Sequence, residues 1–368
     1  MIKPTPILSR YMIRQFIFSF FAILFIIMGF VLLFDIIELL RRTATKEDVS
    51  IGTIFAMGIM KLPNMIYVLL PFAVMLGSMV TFWRLTKSRE LVIIRSAGVS
   101  VWEFLFPIIF ITLAIGILNV TLFNPLAAVM YKKYENYEDK LMLRHASPFV
   151  LSHQGLWLRE ARDDGYSLVH ARSVRQDGHI LLMRDISIMA MQDNGELLYR
   201  IDADLGKLFQ QKLELEKGTV VEVGKPNKRF ENKTIATTLT IERIQENFAS
   251  PETMSFWEIP AFIKFFEAAG FSTARHKLYF YSLIASPLLL CAMVLIASVF
   301  SLNPNIRRGK ILFKITAGIA TGFAFYFFSR LTFALGISGT IPIQMAAWSP
   351  AAISILFAIS FLLHFEDG

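Results

Sequence analysis

FIFSFFAILFIIMGFVLLF, residues 16–34, carries no charged side chain and decides the class of this protein. About 20 apolar residues are needed for a helix to cross the hydrocarbon core of a bilayer, and this stretch meets that length. Five more runs do so: approximately 54–82, 101–123, 278–300, 311–335 and 345–363. The composition agrees, since 55% hydrophobic residues, a mean hydropathy of +0.53 and only 18% charged residues do not suit a wholly water-exposed surface. The expectation is a polytopic α-helical membrane protein. The first run follows Lys3, Arg10 and Arg14, is longer than a signal-peptide core and lacks a small-residue cleavage site, so it reads as a retained span. Pro63, Pro71 and Pro107 fall inside the runs and read as kinks or as points where the chain enters the bilayer.

Charge gives the expected orientation. Lys3, Arg10 and Arg14, then Arg84, Lys87, Arg89 and Arg95, then Arg307, Arg308, Lys310 and Lys314 fall on one side of six alternating spans, which the positive-inside rule makes cytoplasmic. Both termini then lie inside. Arg41, Arg42 and Lys46 fall on the opposite side and break the bias. Residues 144–250 hold 15 basic and 15 acidic residues, so the whole net charge of +8 lies in the membrane part. That distribution points to anionic headgroups and argues against nucleic acid as a partner.

Between the third and fourth spans the pattern changes. After a polar helical continuation over 132–144 come short β-branched or alternating runs at 155–160, 167–174, 179–191, 197–209, 212–223 and 233–241. Turn signals separate them at Arg162-Asp163-Asp164-Gly165, Gln176-Asp177-Gly178, Gln192-Asp193-Asn194-Gly195 and Gly224-Lys225-Pro226-Asn227. The reading is an inserted antiparallel all-β domain, a sandwich or jelly roll, on the non-cytoplasmic side. Three regions follow: 1–143 with three spans, 144–254 as the β domain, and 255–368 with a connecting helix over 257–269 and three further spans.

Enzyme signatures are missing. The run from Gly218 to Pro226 has one residue too many between its glycines for a phosphate loop and a proline where Ser or Thr is needed. The histidines at 145, 153, 170, 179, 276 and 364 show no metal-ligand spacing, and Cys291 is the only cysteine. No catalytic residue, metal site or cofactor is expected. Gradient-driven carriers place carboxylates or histidines in mid-membrane. Here Asp35 and Glu38 fall at the outer end of the first span, Glu103 at the inner start of the third, and Lys61 and Arg330 near outer span ends. Energy for any uphill movement is expected from a partner or an ion gradient, and this scarcity weakens the second. Ser88-Arg89-Glu90-Leu91-Val92-Ile93-Ile94-Arg95-Ser96-Ala97-Gly98, between spans two and three, reads as a short amphipathic helix with an acid in its first turn and a glycine stop. It suits a groove on a cytoplasmic ATPase, or lipid headgroups.

That segment, with Leu8-Ser9-Arg10-Tyr11, Leu70-Pro71, Leu76-Gly77 and Gly318 to Gly322-Phe323 with Tyr326, resembles the LptF/LptG permeases of lipopolysaccharide export. The arrangement of three spans, β domain and three spans is similar too, and Gln154-Gly155-Leu156-Trp157 is closer to the G than to the F subunit. The resemblance implies a non-enzymatic permease subunit in the bacterial inner membrane with its β domain in the periplasm. It implies an LptF-type partner subunit, a cytoplasmic ATPase dimer of the LptB type, an LptC-type single-span protein, a periplasmic bridge, and lipopolysaccharide as substrate. The segment 88–98 would be the coupling helix, with Arg89, Glu90, Leu91, Ile94 and Arg95 addressing the ATPase. The first and fifth spans would line the lipid cavity, which makes Asp35, Glu38, Arg41, Arg42 and Arg330 candidate lipid contacts. For Arg41 and Arg42 two readings stand: pairing with Asp35 and Glu38 along the helix, or binding lipid phosphates with planar guanidinium forks. An F-type subunit, a non-transporting scaffold and an ion-coupled lipid carrier are the alternatives.

Overall fold

The computed structural model describes residues 6–44, 50–141, 149–152, 155–162, 165–177, 180–192, 196–222, 224–237, 239, 250–268, 271–302 and 311–367. Among them the chain forms two compact units, one of 1–134, 251–260 and 274–368, the other of 135–250 and 261–273.

The first unit is helical. It contains α1 (Pro6–Thr43), α2 (Ile51–Lys87), α3 (Glu90–Ser96) and α4 (Val101–Leu118), which passes through a π-helical turn (Asn119–Phe123) into α5 (Asn124–Leu141). After the β region come α7 (Ala274–Ser301), α8 (Ile311–Ile337) and α9 (Ile343–Asp367). Among the described residues six helices are long and apolar enough to cross a membrane, as the sequence leads one to expect. α2 outruns its apolar stretch at both ends and continues through Pro63 and Pro71, and α4 continues through Pro107. Local chemistry fixes two starts. Ser50 accepts from the amide of Thr53 before α2, and Ser100 and Glu103 form a reciprocal capping box before α4.

α7 is the hub, packed against α2, α4, α8 and α9. Burial covers 72% of its apolar stretch, against 22% for α1 and 17% for α8. Within a bilayer the drive to associate is close packing rather than escape from water, so small residues mark the contacts. A Cβ on Gly77 of α2 would lie 2.8 Å from the Cα of Phe20, and one on Gly116 of α4 2.7 Å from the Cα of Pro287. These two glycines let α1 approach α2, and α4 approach α7, backbone to backbone. At the π turn, which frees main-chain carbonyls, the oxygen of Asn119 accepts from the Tyr67 hydroxyl at 2.9 Å and that of Thr121 from the Trp257 indole at 3.2 Å.

The second unit contains seven strands: β1 (Phe149–Ser152), β2 (Gly155–Arg162), β3 (Gly165–Asp177), β4 (Ile180–Met191), β5 (Leu197–Phe209), β6 (Lys212–Glu222) and β7 (Lys228–Ala236). They pair antiparallel in simple sequential order. Among the described residues the inserted all-β region is thus one antiparallel sheet with its strands in sequential order. It still encloses a core, because the strands share a crease. Register pairs run Ala171↔Ile186 and then Ser173↔Arg184, Ala203↔Gly218 and then Leu205↔Glu216, and Gly218↔Phe230 and then Glu216↔Asn232. Arg172, Asp185, Asp204, Lys217 and Glu231 are the residues stepped over, one on each of five strands. Asp185 and Lys217 have φ of +50°.

Crossing this line shifts the alternation: β4 buries Leu181 and Met183 on one side and Ile186 and Ile188 on the other, three apart rather than two. Both halves of each long strand thus turn apolar side chains to the same interior. A Cβ on Gly206 would lie 2.2 Å from Cδ1 of Ile186, so only glycine lets the halves close there. α6 (Ile259–Ala268) packs its Phe262, Phe265 and Phe266 against this core, with Phe271 following, and Phe262 stacks on Phe266 at 4.0 Å. Two sequence expectations shift. β1 was not expected, and the last run, placed at 233–241, begins at Lys228, directly after the Gly224–Asn227 turn, because Lys228 pairs with Val220. Its charged residues hide the alternation, as suits an edge strand. Residues 240–249 lie outside the described residues.

Candidate functional site: the two ends of the first helix

α1 joins two groups of functional candidates. It has 38 residues, which at about 1.5 Å per residue makes it roughly 57 Å long. Its C-terminal end holds Asp35, Glu38, Arg41 and Arg42, and its N-terminal end meets α3.

The structure separates the four C-terminal candidates. Asp35 turns inward, with its side chain 7% exposed, and forms an ion pair with Lys61 of α2. The Lys61 ammonium also stands 5.3 Å from the centre of the Tyr134 ring on α5. Asp35 thereby ties α1 to α2 from inside, while its Oδ2 has no hydrogen-bond partner among the described residues. One turn on, Glu38 lies at the surface. Arg41 donates to both of its oxygens, Nε to Oε2 and Nη2 to Oε1 at 2.9 Å, and Arg42 Nε donates to Oε1 at 2.7 Å. Of the helix-surface pairs considered from spacing alone, those with Glu38 are present, at i,i+3 and i,i+4, while Asp35 pairs with Lys61 instead. The arginines remain open to solvent, with side chains 76% and 50% exposed. Pairs of this kind are weak and exchange readily for a better anion. Lys61, seen in the sequence only as a charge near a span end, is the residue that separates Asp35 from the rest. Arg330 of α8 is exposed and held on its own helix, donating to the Tyr326 hydroxyl at 3.1 Å with its guanidinium 5.2 Å from the centre of that ring.

At the other end, α3 spans Glu90–Ser96, shorter than the expected 88–98, and Gly98 with φ +82° ends the turn. Leu91 is buried and Ile94 half-buried, both in the cluster that includes Met12 and Leu85. Val92, 55% exposed, and Ile93, 66% exposed, form the open apolar pair. They were not among the candidates, since periodicity over seven residues does not say which apolar face the rest of the protein covers. Arg89 and Arg95 are exposed, and Glu90 accepts from the Tyr11 hydroxyl at 2.9 Å. α3 therefore offers a mixed surface of two apolar side chains between cations, held down by Leu91.

The family described as lipopolysaccharide export system permease LptF/LptG matches residues 10–364. The chain belongs to the LptF/LptG family. Its relatives include the lipopolysaccharide export system permease protein LptG of Escherichia coli (strain K12), 22% identical over 375 residues that cover 98% of this chain and 99% of the relative. The protein of the same name from Haemophilus influenzae (strain Rd) is also 22% identical, over 362 residues covering 95% of this chain and 96% of the relative. This LptF/LptG permease is a multi-pass membrane protein with an inserted antiparallel β region, and α1, α3 and α8 carry its candidate functional residues.

Proposed function

We propose that this chain is the G-type permease subunit of an ATP-driven transporter that extracts lipopolysaccharide from the inner membrane for delivery to the outer membrane. The observation that carries the reading is the family match over residues 10–364, joined to six membrane-length helices around one β region. In this reading the end of the bundle with α3 and the basic residues Arg84, Lys87, Arg89 and Arg95 faces the cytoplasm, and the β region lies in the periplasm. A separate ATPase dimer docks on α3, touching Val92 and Ile93 as well as Arg89, Glu90 and Arg95. Leu91 and Ile94 serve that contact by anchoring the helix. An F-type subunit covers α1 and α8, whose low burial supports a partner or a lipid at those faces. The β region adds to an LptC-type protein and a periplasmic bridge through an edge strand, β1 or β7.

In the headgroup region, Arg41 and Arg42 receive the lipid phosphates. Guanidiniums pair with phosphate oxygens bidentately, and Glu38 holds the forks in place until a doubly charged anion displaces it. Arg330 with Tyr326 offers a second cation on the fifth span. The test is purification of the tagged chain in mild detergent, with bound proteins and lipid identified together. A copurifying ATPase and lipopolysaccharide are expected. A complex that moves the lipid with ATP hydrolysis blocked and a proton gradient present would instead make it an ion-coupled carrier.

A further inference from the structure

α3 lacks a side-chain cap of its own. Arg89, at its N-terminal boundary, adopts φ +60° and makes no capping hydrogen bond, so the local sequence does little to fix where this short helix begins. What holds it comes from far away in the chain. Tyr11, 79 residues earlier, donates its hydroxyl to Glu90 Oε2 at 2.9 Å. One turn further along α1, Gln15, with its amide assigned by its hydrogen bonds, accepts from Arg84 Nε at 3.0 Å and Nη1 at 2.8 Å, which ties the end of α2 to the same helix. Met12 and Leu8, between and beside these two contacts, belong to the cluster that buries Leu91. The first turns of α1 thus form the seat of α3 together with the end of α2.

The Tyr11 bond uses one carboxylate oxygen only. Among the described residues Oε1 of Glu90 accepts no hydrogen bond, so the carboxylate is oriented with one oxygen held and the other available. We propose that Tyr11 is a positioning residue for energy coupling: its hydroxyl sets the orientation of Glu90 on α3 and makes α1 the element that feels α3 move. The same helix carries Glu38, Arg41 and Arg42 at its far end. From Tyr11 to Arg41 it runs unbroken for about 45 Å with no proline inside. A displacement of α3 is passed through the Tyr11–Glu90 bond to the helix that bears the headgroup cations, and through no other polar side-chain contact between α1 and α3 among the described residues.

This inference rests on the coupling reading of α3, and the experiment keeps the two apart. The complex of this chain with its permease and ATPase partners is placed in vesicles containing lipopolysaccharide, and lipid released per ATP hydrolysed is measured. Tyr11→Phe is expected to lower that ratio roughly three- to tenfold, the range for losing one ordinary solvent-accessible hydrogen bond, with the yield of assembled complex unchanged. In a Glu90→Ala background Tyr11→Phe is expected to have no further effect, because its acceptor is gone. Met12→Ala, which loosens the same seat by packing alone, is expected to reduce yield and leave the ratio. An unchanged ratio in Tyr11→Phe, in a complex whose wild type releases lipid with ATP, overturns the role of Tyr11 alone. Equal losses from Tyr11→Phe with and without Glu90 overturn it too. A wild-type complex that hydrolyses ATP without releasing lipid overturns the coupling reading, and this inference with it.

Discussion

Two ionic groups sit one turn apart on α1, and they differ in almost every physical respect. Asp35 is buried, meets a single lysine on another helix and keeps an oxygen without a partner among the described residues. Glu38 lies at the surface, gathers two arginines from its own helix and leaves both open to solvent. In sequence they look alike, two carboxylates at the end of one apolar span. Burial separates them into a strut and a candidate ligand site, since removing one partner of a buried pair strands a charge, while an exposed pair trades readily for another ion.

The largest expected effect breaks the strut. Lys61→Met leaves the Asp35 carboxylate buried without its cation, a change worth about 3 kcal/mol or more. Assembled complex is expected to fall sharply, read by yield and thermal unfolding in detergent. The double variant Asp35→Leu with Lys61→Met is expected to recover most of that loss, and a double variant no better than the single would show that the pair does more than brace α1 on α2.

The next effect falls on the exposed group. Arg41→Glu with Arg42→Glu is expected to cut lipopolysaccharide capture and export by about tenfold or more, because charge reversal turns a charge-assisted contact into repulsion. Arg41→Lys with Arg42→Lys is expected to cost less, keeping charge and losing the planar fork. Association with the F-type subunit should survive both. Smaller still, Glu38→Gln weakens one internal competitor for the two guanidiniums and is expected to tighten lipopolysaccharide capture by a factor of about two to five. A Glu38→Gln variant that captures less lipid would mean that Glu38 organises the arginines rather than competing for them.

The sequence made the six spans legible because a bilayer imposes a length and a polarity that a single run of residues must satisfy. The β region was legible as alternating runs and turns. The crease through Arg172, Asp185, Asp204, Lys217 and Glu231 was not, since a one-residue slip in a strand looks like ordinary noise until its neighbours slip at the same register. Residues at the candidate sites divide the same way. Arg41 and Arg42 stood out by violating the charge bias, and their pairing with Glu38 follows from spacing on one helix. The Asp35–Lys61 and Tyr11–Glu90 contacts join residues 26 and 79 apart, which no local pattern records. On α3 the amphipathic pattern was visible, but which apolar residues lie buried depends on the helices packed around it, which cover Leu91 and leave Val92 and Ile93 open.

Photocrosslinking in native membranes tests most directly whether the exposed end of α1 handles the exported lipid. A photoreactive residue is placed in turn at 41, at 42 and at 35, and lipopolysaccharide adducts are counted. The account predicts adducts at 41 and 42 that increase when ATP hydrolysis is blocked, and few or none at 35, which faces Lys61 inside the bundle. Adducts at 35 equal to those at 41 and 42, or none at any of the three in an exporting complex, would contradict it.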